Sequence, residues 1–437
     1  MPAIRTVCLI NPPSAPGTLA NREGAAGLGV VYPDPGPFFY PPHTLASVAA
    51  ALRTAGYEVR AHDALVEQPT ADWVLADAIG VFVSHASLDS DLAFLSMLRG
   101  RTSAWLIAFG PSMRYVADAV LAQGSVDIVL VGEAEGFFEE ALRSLEASER
   151  PSVSQRLCPA DVQALNFEGH GMVRDLDALP FPAWDLLPYG KYPLLTTLSS
   201  RGCPDHCVYC PYTAAQGHRF RARSVENVVA ELEYVSERFR PARLVFRDPA
   251  FAHDRLRVVR LCRELVDRQL GLQWECESRP EHFDAELLEW MQRAGCRWVK
   301  IGLETTDPDL LVELHRVASA EAAGAYLQHT ARILAICRRM GLRSRLFVMA
   351  GLPGQNAAMA AGTRSFVERV RPTALNVKLC EVYPGTHLSM GAPDDHDTQL
   401  QILRQAQATT QARETAPRLS TRAKRWLKRI ARGGRDG

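Results

Sequence analysis

The chain has 437 residues, long enough for two or three domains, and 47% of them are hydrophobic, which excludes an intrinsically disordered protein. Its 49 basic and 49 acidic residues balance to a formal charge of zero, which excludes a general nucleic-acid binder. The opening MPAIRTVCLINPPS has an apolar run of about four residues before Pro12-Pro13, too short for a signal peptide or a membrane span, so a cytoplasmic protein is expected.

From the start to about residue 146, short β-branched runs alternate with amphipathic helical stretches. TVCLINPP, EVRAHDA, AIGVFVSHAS, AWLIAFGPS and VDIVLVGEAEG read as strands. TLASVAAALRTAG, DLAFLSMLRG, RYVADAVLAQG and EGFFEEALRSL read as helices, several closed by glycine. This alternation predicts an α/β domain with a parallel, Rossmann-like sheet covered on both faces and any ligand beyond the carboxyl ends of the strands. The loops to watch are 11–16, 84–87, 110–112 and 132–136. A polar stretch over 147–193 follows, whose DLDALPFPAWDLLPYGKYP carries four prolines and reads as a linker or strap. Over 194–392 the alternation returns for about six strand-helix units, including ARLVFRDPAF, LQWECESRP, WVKIGLETT, a long helical stretch to Met340, SRLFVMAGLPG and ALNVKLCEVYPG. That number predicts an open or partial barrel. Residues 393–437 read as a helical tail.

In a reducing compartment ten cysteines are not a disulfide framework, so clustered ones are candidate metal ligands; Cys8, Cys158, Cys262, Cys296, Cys337 and Cys380 read as packed thiols. The cluster is SRGCPDHCVYCPY, in which Cys203, Cys207 and Cys210 are spaced C-x3-C-x2-C just after the first barrel strand. Structural zinc wants four closed ligands, no second CxxC pair supplies them, and His206 abuts Cys207 too closely to face the same point. An ordinary ferredoxin cluster also takes four thiolates, whereas three leave one iron of a four-iron cluster without a protein ligand. That iron is a place for a substrate or cofactor.

With Tyr209 just before the third cysteine, the loop resembles the signature of the radical S-adenosylmethionine (SAM) enzymes. The resemblance implies a [4Fe–4S] cluster whose open iron chelates the amino and carboxylate groups of SAM, and cleavage of its sulfonium to a 5'-deoxyadenosyl radical, with the protein supplying geometry and exclusion of water. Further segments match less specifically. RFRARSVENVVAELE brings Arg221 and Arg223 to the start of the first barrel helix. VFRDPAF implies Asp248 at the SAM amino group. WECESRP implies Arg279, whose guanidinium can fork onto a carboxylate. KIGLETTD implies Gly302 as a close-approach glycine and Glu304 as a polar anchor of SAM. FVMAGLPGQ implies Gly351 and Gly354 at the adenine side.

INPPSAP, FYPPHTLASVAAALRTAGYEVRAHDA, IGVFVSHAS, IAFGPS and VDIVLVGEAEGFFEEAL together resemble the cobalamin-binding domain fused to many radical SAM enzymes. No GxGxxG follows the first strand, which argues against a nicotinamide site. The resemblance implies cobalamin contacts at Asn11, Pro12, Ser84, Gly110, Gly132 and Glu133. The Asp-x-His-x-x-Gly element that supplies a cobalt ligand elsewhere is missing; His43 and His85 lie outside such a context, so the cobalt is expected without a protein histidine below it.

RLSTRAKRWLKRIARGGR, from Arg418 to Arg435, carries eight basic residues and no acidic one, with Leu419, Ala423, Trp426, Leu427 and Ile430 on one helical face. It reads as a solvated terminal helix, as one whose apolar stripe packs on the barrel, or as a peripheral membrane contact, the last favouring a lipid or lipid-linked substrate. The whole reading is a cobalamin-dependent radical SAM methyltransferase acting on an unactivated carbon, fed by an electron donor such as flavodoxin or ferredoxin. Its alternatives are a non-methylating cyclisation, oxidation or rearrangement in the same architecture, and a non-catalytic cobalamin or iron-sulfur sensor.

Overall fold

The computed structural model describes residues 4–36, 38–68, 70–147, 155–157, 171–389 and 396–415. The basic segment 418–435 lies outside the described residues, as does Cys158. The first half runs β1 (Thr6–Asn11), a β2–β3 hairpin (Thr18–Asn21, Val30–Pro33), α1 (His43–Thr54), β4 (Glu58–Asp63), β5 (Ala78–Phe82), α2 (Leu88–Arg99), β6 (Trp105–Phe109), α3 (Met113–Ala122), β7 (Ile128–Leu130), α4 (Phe138–Ala147) and β8 (Gln155–Leu157). Its six-stranded sheet is all parallel in the order β4-β1-β5-β6-β7-β8, so the chain changes direction between β1 and β5. Such a switch point opens a crevice beyond the strand ends, here at Asn11 and Ser84. β8 extends this sheet from inside the stretch expected to be linker.

The second half runs β9 (Leu195–Thr197), β10 (Ser200–Arg201), α5 (Pro211–Gln216), β11 (Arg221–Ala222), α6 (Val225–Arg238), β12 (Leu244–Phe246), α7 (Arg255–Arg268), β13 (Trp274–Ser278), α8 (Ala285–Arg293), β14 (Cys296–Glu304), α9 (Pro308–Glu313), α10 (Ala320–Met340), β15 (Arg343–Ala350), α11 (Ala357–Val370), β16 (Ala374–Leu379) and α12 (His396–Thr415). The sheet order β16-β15-β14-β13-β12-β9 is sequential and parallel, a six-unit partial barrel with β9 and β16 as its edges. Helix starts follow their caps: Ser224, Asp254, Asp284, Asp307, Ser319 and Asn356 each accept a backbone N–H of the first turn. The long helical stretch expected before Met340 is two helices, broken at His315, whose φ is 54°. The tail helix α12 is part of the barrel wall, with Leu403 and Ala406 buried in the main core.

Cys8, Cys262, Cys296, Cys337 and Cys380 are buried free thiols, as is Cys276, which the sequence reading left unassigned. Among the described residues, no helix is long and apolar enough to cross a membrane.

Candidate active site

The cysteine loop leaves the end of β9 and is pinched at its base by a two-residue antiparallel ribbon, Ser200 against Ala222 and Arg201 against Arg221. Gly202 opens the loop with φ 75°; a Cβ there would lie 2.1 Å from the Arg219 carbonyl oxygen, so only glycine lets the two arms of the ribbon close. Cys203 N donates to Gly217 O, Cys210 N donates to Cys207 O, and Cys210 caps α5 with Pro211 in its first turn. The loop is therefore rigid without any metal. Burial pushes the Cys203 thiol well up and the Cys210 thiol up to about 12. The guanidiniums of Arg279 and Arg316 stand 3.6 and 3.7 Å from the Cys207 sulfur. His206 stacks on the ring of His218, with centroids 4.5 Å apart, and takes no place among the sulfurs.

Among the described residues no three His, Cys, Asp or Glu side chains converge on one ion. A four-iron cluster does not require that convergence, because each thiolate binds its own iron. The donor set fits the cluster: three sulfurs from one rigid loop, with two fixed cations beside one of them.

Glu304 ends β14 at a register shift, with φ 68°. This sparsely populated backbone folds its carboxylate back over Gly302, where a Cβ would lie 2.5 Å from Oε1; Gly302 is thus a close-approach glycine. Tyr209 donates to Glu304 Oε1 at 3.0 Å, tying the cysteine loop to β14. Burial raises the Glu304 carboxyl, and Arg316 and Tyr209 oppose that rise. Arg316 also donates to Gly302 O at 2.6 Å and to the Tyr326 hydroxyl at 2.9 Å. Burial works against the Arg316 charge, and Tyr209, Tyr326, Cys207 and Glu304 around it more than offset that. Sequence reasoning missed Arg316 because it was read as mid-helix; the signal was Asp307-Pro308 starting one helix and Ser319 starting another, which puts residues 314–318 in a loop at the site.

Arg279 forks as expected, but onto protein groups. It donates to Glu281 Oε1 at 2.6 Å and pairs with Asp205 at 3.3 Å, across the mouth of the cysteine loop. Asp248 lies just beyond the end of β12. It is 1% exposed, Oδ1 accepts the hydroxyls of Ser199 and Ser200 at 2.6 Å, and Oδ2 accepts Ser199 N at 3.0 Å. It anchors the strand end from which the cysteine loop springs. Gly351 and Gly354 lie in the turn after β15, where Gln399 of α12 accepts Gly351 N and donates to Gln355 O.

The carboxyl ends of the two sheets face each other. Arg247 of the barrel pairs with Glu23 at 2.8 Å, and its guanidinium stacks 4.2 Å from the Tyr40 ring. Arg221 grips Glu133 with both amino groups at 2.7 and 2.8 Å, and Arg201 pairs with Glu133 and Glu135. The two arms of the cysteine-loop ribbon are thereby held by the loop after β7. The Glu133 carboxylate also accepts Val173 N, so protein groups engage it on both oxygens.

Four further expected contacts are covered. The buried Arg22 donates to Pro12 O at 2.6 Å and Asn11 Oδ1 at 3.2 Å, and pairs with Asp91 at 2.6 Å. Asn11 donates to Asp63, Ser84 N donates to Asp91, and the Ser84 and Ser87 hydroxyls are bonded to each other. Gly29 lies against Ser84 and Gly27 against Pro111, and Gly110 is packed on Phe82. Residues 22–29 thus cover Asn11, Pro12 and Ser84, while Gly110 is closed off by Phe82 and Val83. The cavity between the sheets is lined instead by His43, Thr44, Pro111, Arg114, Gly132 and Met172 from the first half, facing Leu198, Arg201 and Arg247.

Residues 197–367 match the radical SAM superfamily. A methyltransferase of Pyrococcus horikoshii is 23% identical over 363 residues, covering 80% of this chain and 77% of that protein. The hopanoid C-3 methylase of Methylococcus capsulatus is 24% identical over 365 residues, 79% and 67% of the two chains. In fold, the chain is similar to the radical SAM methyltransferase TsrM of Kitasatospora setae, solved with cobalamin and a [4Fe–4S] cluster, with a TM-score of 0.67 at 19% identity over 88% of this chain and 74% of that one. The radical SAM domain implies SAM and a [4Fe–4S] cluster. The three thiolates, on one loop at the first strand end of a six-unit parallel barrel, lie within the segment 197–367 that matches the radical SAM superfamily.

Proposed function

We propose that the protein is a cobalamin-dependent radical SAM methyltransferase that adds a methyl group to an unactivated carbon of a small or lipid-linked molecule. The observation that carries this is the facing of the two sets of strand ends across one cavity, with the cysteine loop clamped to the first domain through Arg201 and Arg221. When bound, the cluster supplies the electron that cleaves SAM and cobalamin carries the methyl group. Cys203, Cys207 and Cys210 hold the cluster, and Arg279 and Arg316 neutralise the charge gathered at Cys207. Tyr209 and Glu304 fix the loop against β14 and present a carboxylate beside it. The ion pairs at Glu23, Glu133 and Glu135 hold the two halves at a fixed separation, so that a radical made at one edge meets its partner at the other without diffusion. An external one-electron donor such as flavodoxin or ferredoxin completes the system.

In sum, two SAM molecules, one C–H bond and two electrons give the methylated product, S-adenosylhomocysteine, methionine and 5'-deoxyadenosine. Anaerobic turnover of the reconstituted protein with CD3-labelled SAM, a strong reductant and a methanol extract of cells carrying the gene tests this reading. A metabolite three deuterons heavier than its methyl-bearing counterpart supports it. Production of 5'-deoxyadenosine with no labelled product overturns methyl transfer and leaves a radical rearrangement or oxidation.

A further inference from the structure

Side chains alternate along β13: Trp274 and Cys276 enter the main core, so Glu275 and Glu277 point the other way, into the barrel lumen. Lys300 of β14 stands in register with Glu277. Its Nζ nevertheless lies 3.2 Å from Glu275 Oε2, so the more buried carboxylate takes the lysine. The other charges around the lumen are likewise matched: Arg247 pairs with Glu23, and Glu304 accepts the Tyr209 hydroxyl. Glu277 is left over. Among the described residues its half-buried carboxylate has no hydrogen-bond or ion-pair partner.

Two half-buried phenols share this space. Burial and then the Glu277 charge raise the Tyr212 hydroxyl, and Tyr40 of the first half acts on the same Tyr212 and on Lys300. Behind burial, Glu277 also adds to the rise of the Cys210 thiol and the Glu304 carboxyl, which puts it beside the cysteine loop. Neither phenol hydroxyl has a hydrogen-bond partner among the described residues, and Tyr212 feels Glu277 with no bond joining the two, so a gap separates them. The Tyr40 ring already carries one cation on its face, the Arg247 guanidinium 4.2 Å away. An ammonium group in this gap donates to the carboxylate and lies against the phenols. A phosphate or carboxylate would meet the unmatched charge of Glu277, and a bare hydrocarbon would leave three polar groups enclosed without partners. We propose that Glu277, Tyr40 and Tyr212 receive an ammonium group of the substrate, which is therefore an amine, an inference that rests on the methyltransferase reading above.

The test separates the same methanol extract on a cation exchanger at neutral pH and gives the retained and unretained fractions in turn to the reconstituted full-length protein with CD3-labelled SAM and reductant. Release of 5'-deoxyadenosine above the level without extract reads substrate engagement, and deuterium in a product reads methyl transfer. The expected result is a response to the retained fraction alone. Glu277→Gln should need about tenfold more of that fraction for half the response, and Glu277→Asp, which keeps the charge, less than that. SAM affinity by equilibrium dialysis should be the same in Glu277→Gln as in the parent. A response to the unretained fraction, or to neither, overturns the proposal, as does a Gln variant that responds like the parent. A Gln variant with weakened SAM affinity also overturns it, because the carboxylate then holds SAM. A response to the retained fraction without labelled product overturns methyl transfer and leaves the ammonium subsite; a labelled product from the unretained fraction does the reverse. The fractionation arm needs no variant, so a Gln protein that fails to fold leaves the decision intact.

Discussion

At the barrel mouth the first strand end delivers its three sulfurs from a single stretch of eight residues. At the edge of the first sheet, Asn11, Ser84, Gly110 and Glu133 come from four separate loops, and each is engaged by other protein groups. The difference teaches that a site made within one loop keeps its donors free by local geometry. A site assembled from several strand ends has buried polar groups that must be satisfied when no ligand is present, and here Arg22, Asp63 and Asp91 satisfy them. Strand ends facing a cofactor site and strand ends closing on themselves look the same in sequence.

The largest effect that sharpens this comparison is in the cysteine loop. Replacing Cys203, Cys207 or Cys210 by Ala removes one of only three donors, so iron retained after anaerobic reconstitution falls to background and SAM cleavage is abolished, with the circular dichroism unchanged because the loop is closed by its own backbone bonds. Full iron content in any of the three variants contradicts the assignment.

Next comes the clamp between the edges. Arg247→Met removes the ion-pair partner of the buried Glu23 carboxylate and leaves it only the Thr44 N–H, at a cost of about 3–5 kcal/mol seen as a lowered urea midpoint. Adding Glu23→Gln recovers much of it. A single variant as stable as the parent means that the two edges are not held together by this pair.

A smaller effect is expected at Gly302→Ala, which drives the Glu304 carboxylate off its perch. SAM affinity should fall about tenfold, or about 1.4 kcal/mol, by equilibrium dialysis. Unaltered affinity means Glu304 has no part in holding SAM.

The mildest test is acid titration of His43. Its pKa is 6.5 when solvated and about 3 when folded, so the unfolded chain binds the extra proton first. Stability from this group is complete above pH 6.5 and declines as pH falls towards 3, by at most about 1.4 kcal/mol per pH unit. His43→Gln flattens that slope by one proton; an unchanged slope means the ring is not buried neutral.

Much of the architecture is legible in the sequence, because the 3.6- and 2-residue periodicities and the capping residues mark strand and helix independently of long-range contacts. The cysteine loop is legible for the same reason: its chemistry is contiguous. Asp248 illustrates what is not. An aspartate at a strand end looks alike whether it faces a ligand or two serines 48 and 49 residues earlier in the chain. Arg316 is hidden behind a helix break, Glu133 behind Arg221, 88 residues away, and the burial of His43 behind Thr196, 153 residues away. Each of those facts lives in tertiary packing.

The most direct measurement of the central claim is electron paramagnetic resonance of the reconstituted, reduced protein before and after SAM carrying a 17O-labelled carboxylate. The account predicts a [4Fe–4S]+ signal that shifts on addition of SAM and gains a coupling to 17O, because the iron left open by Cys203, Cys207 and Cys210 takes that carboxylate. A cluster signal that neither shifts nor couples contradicts it.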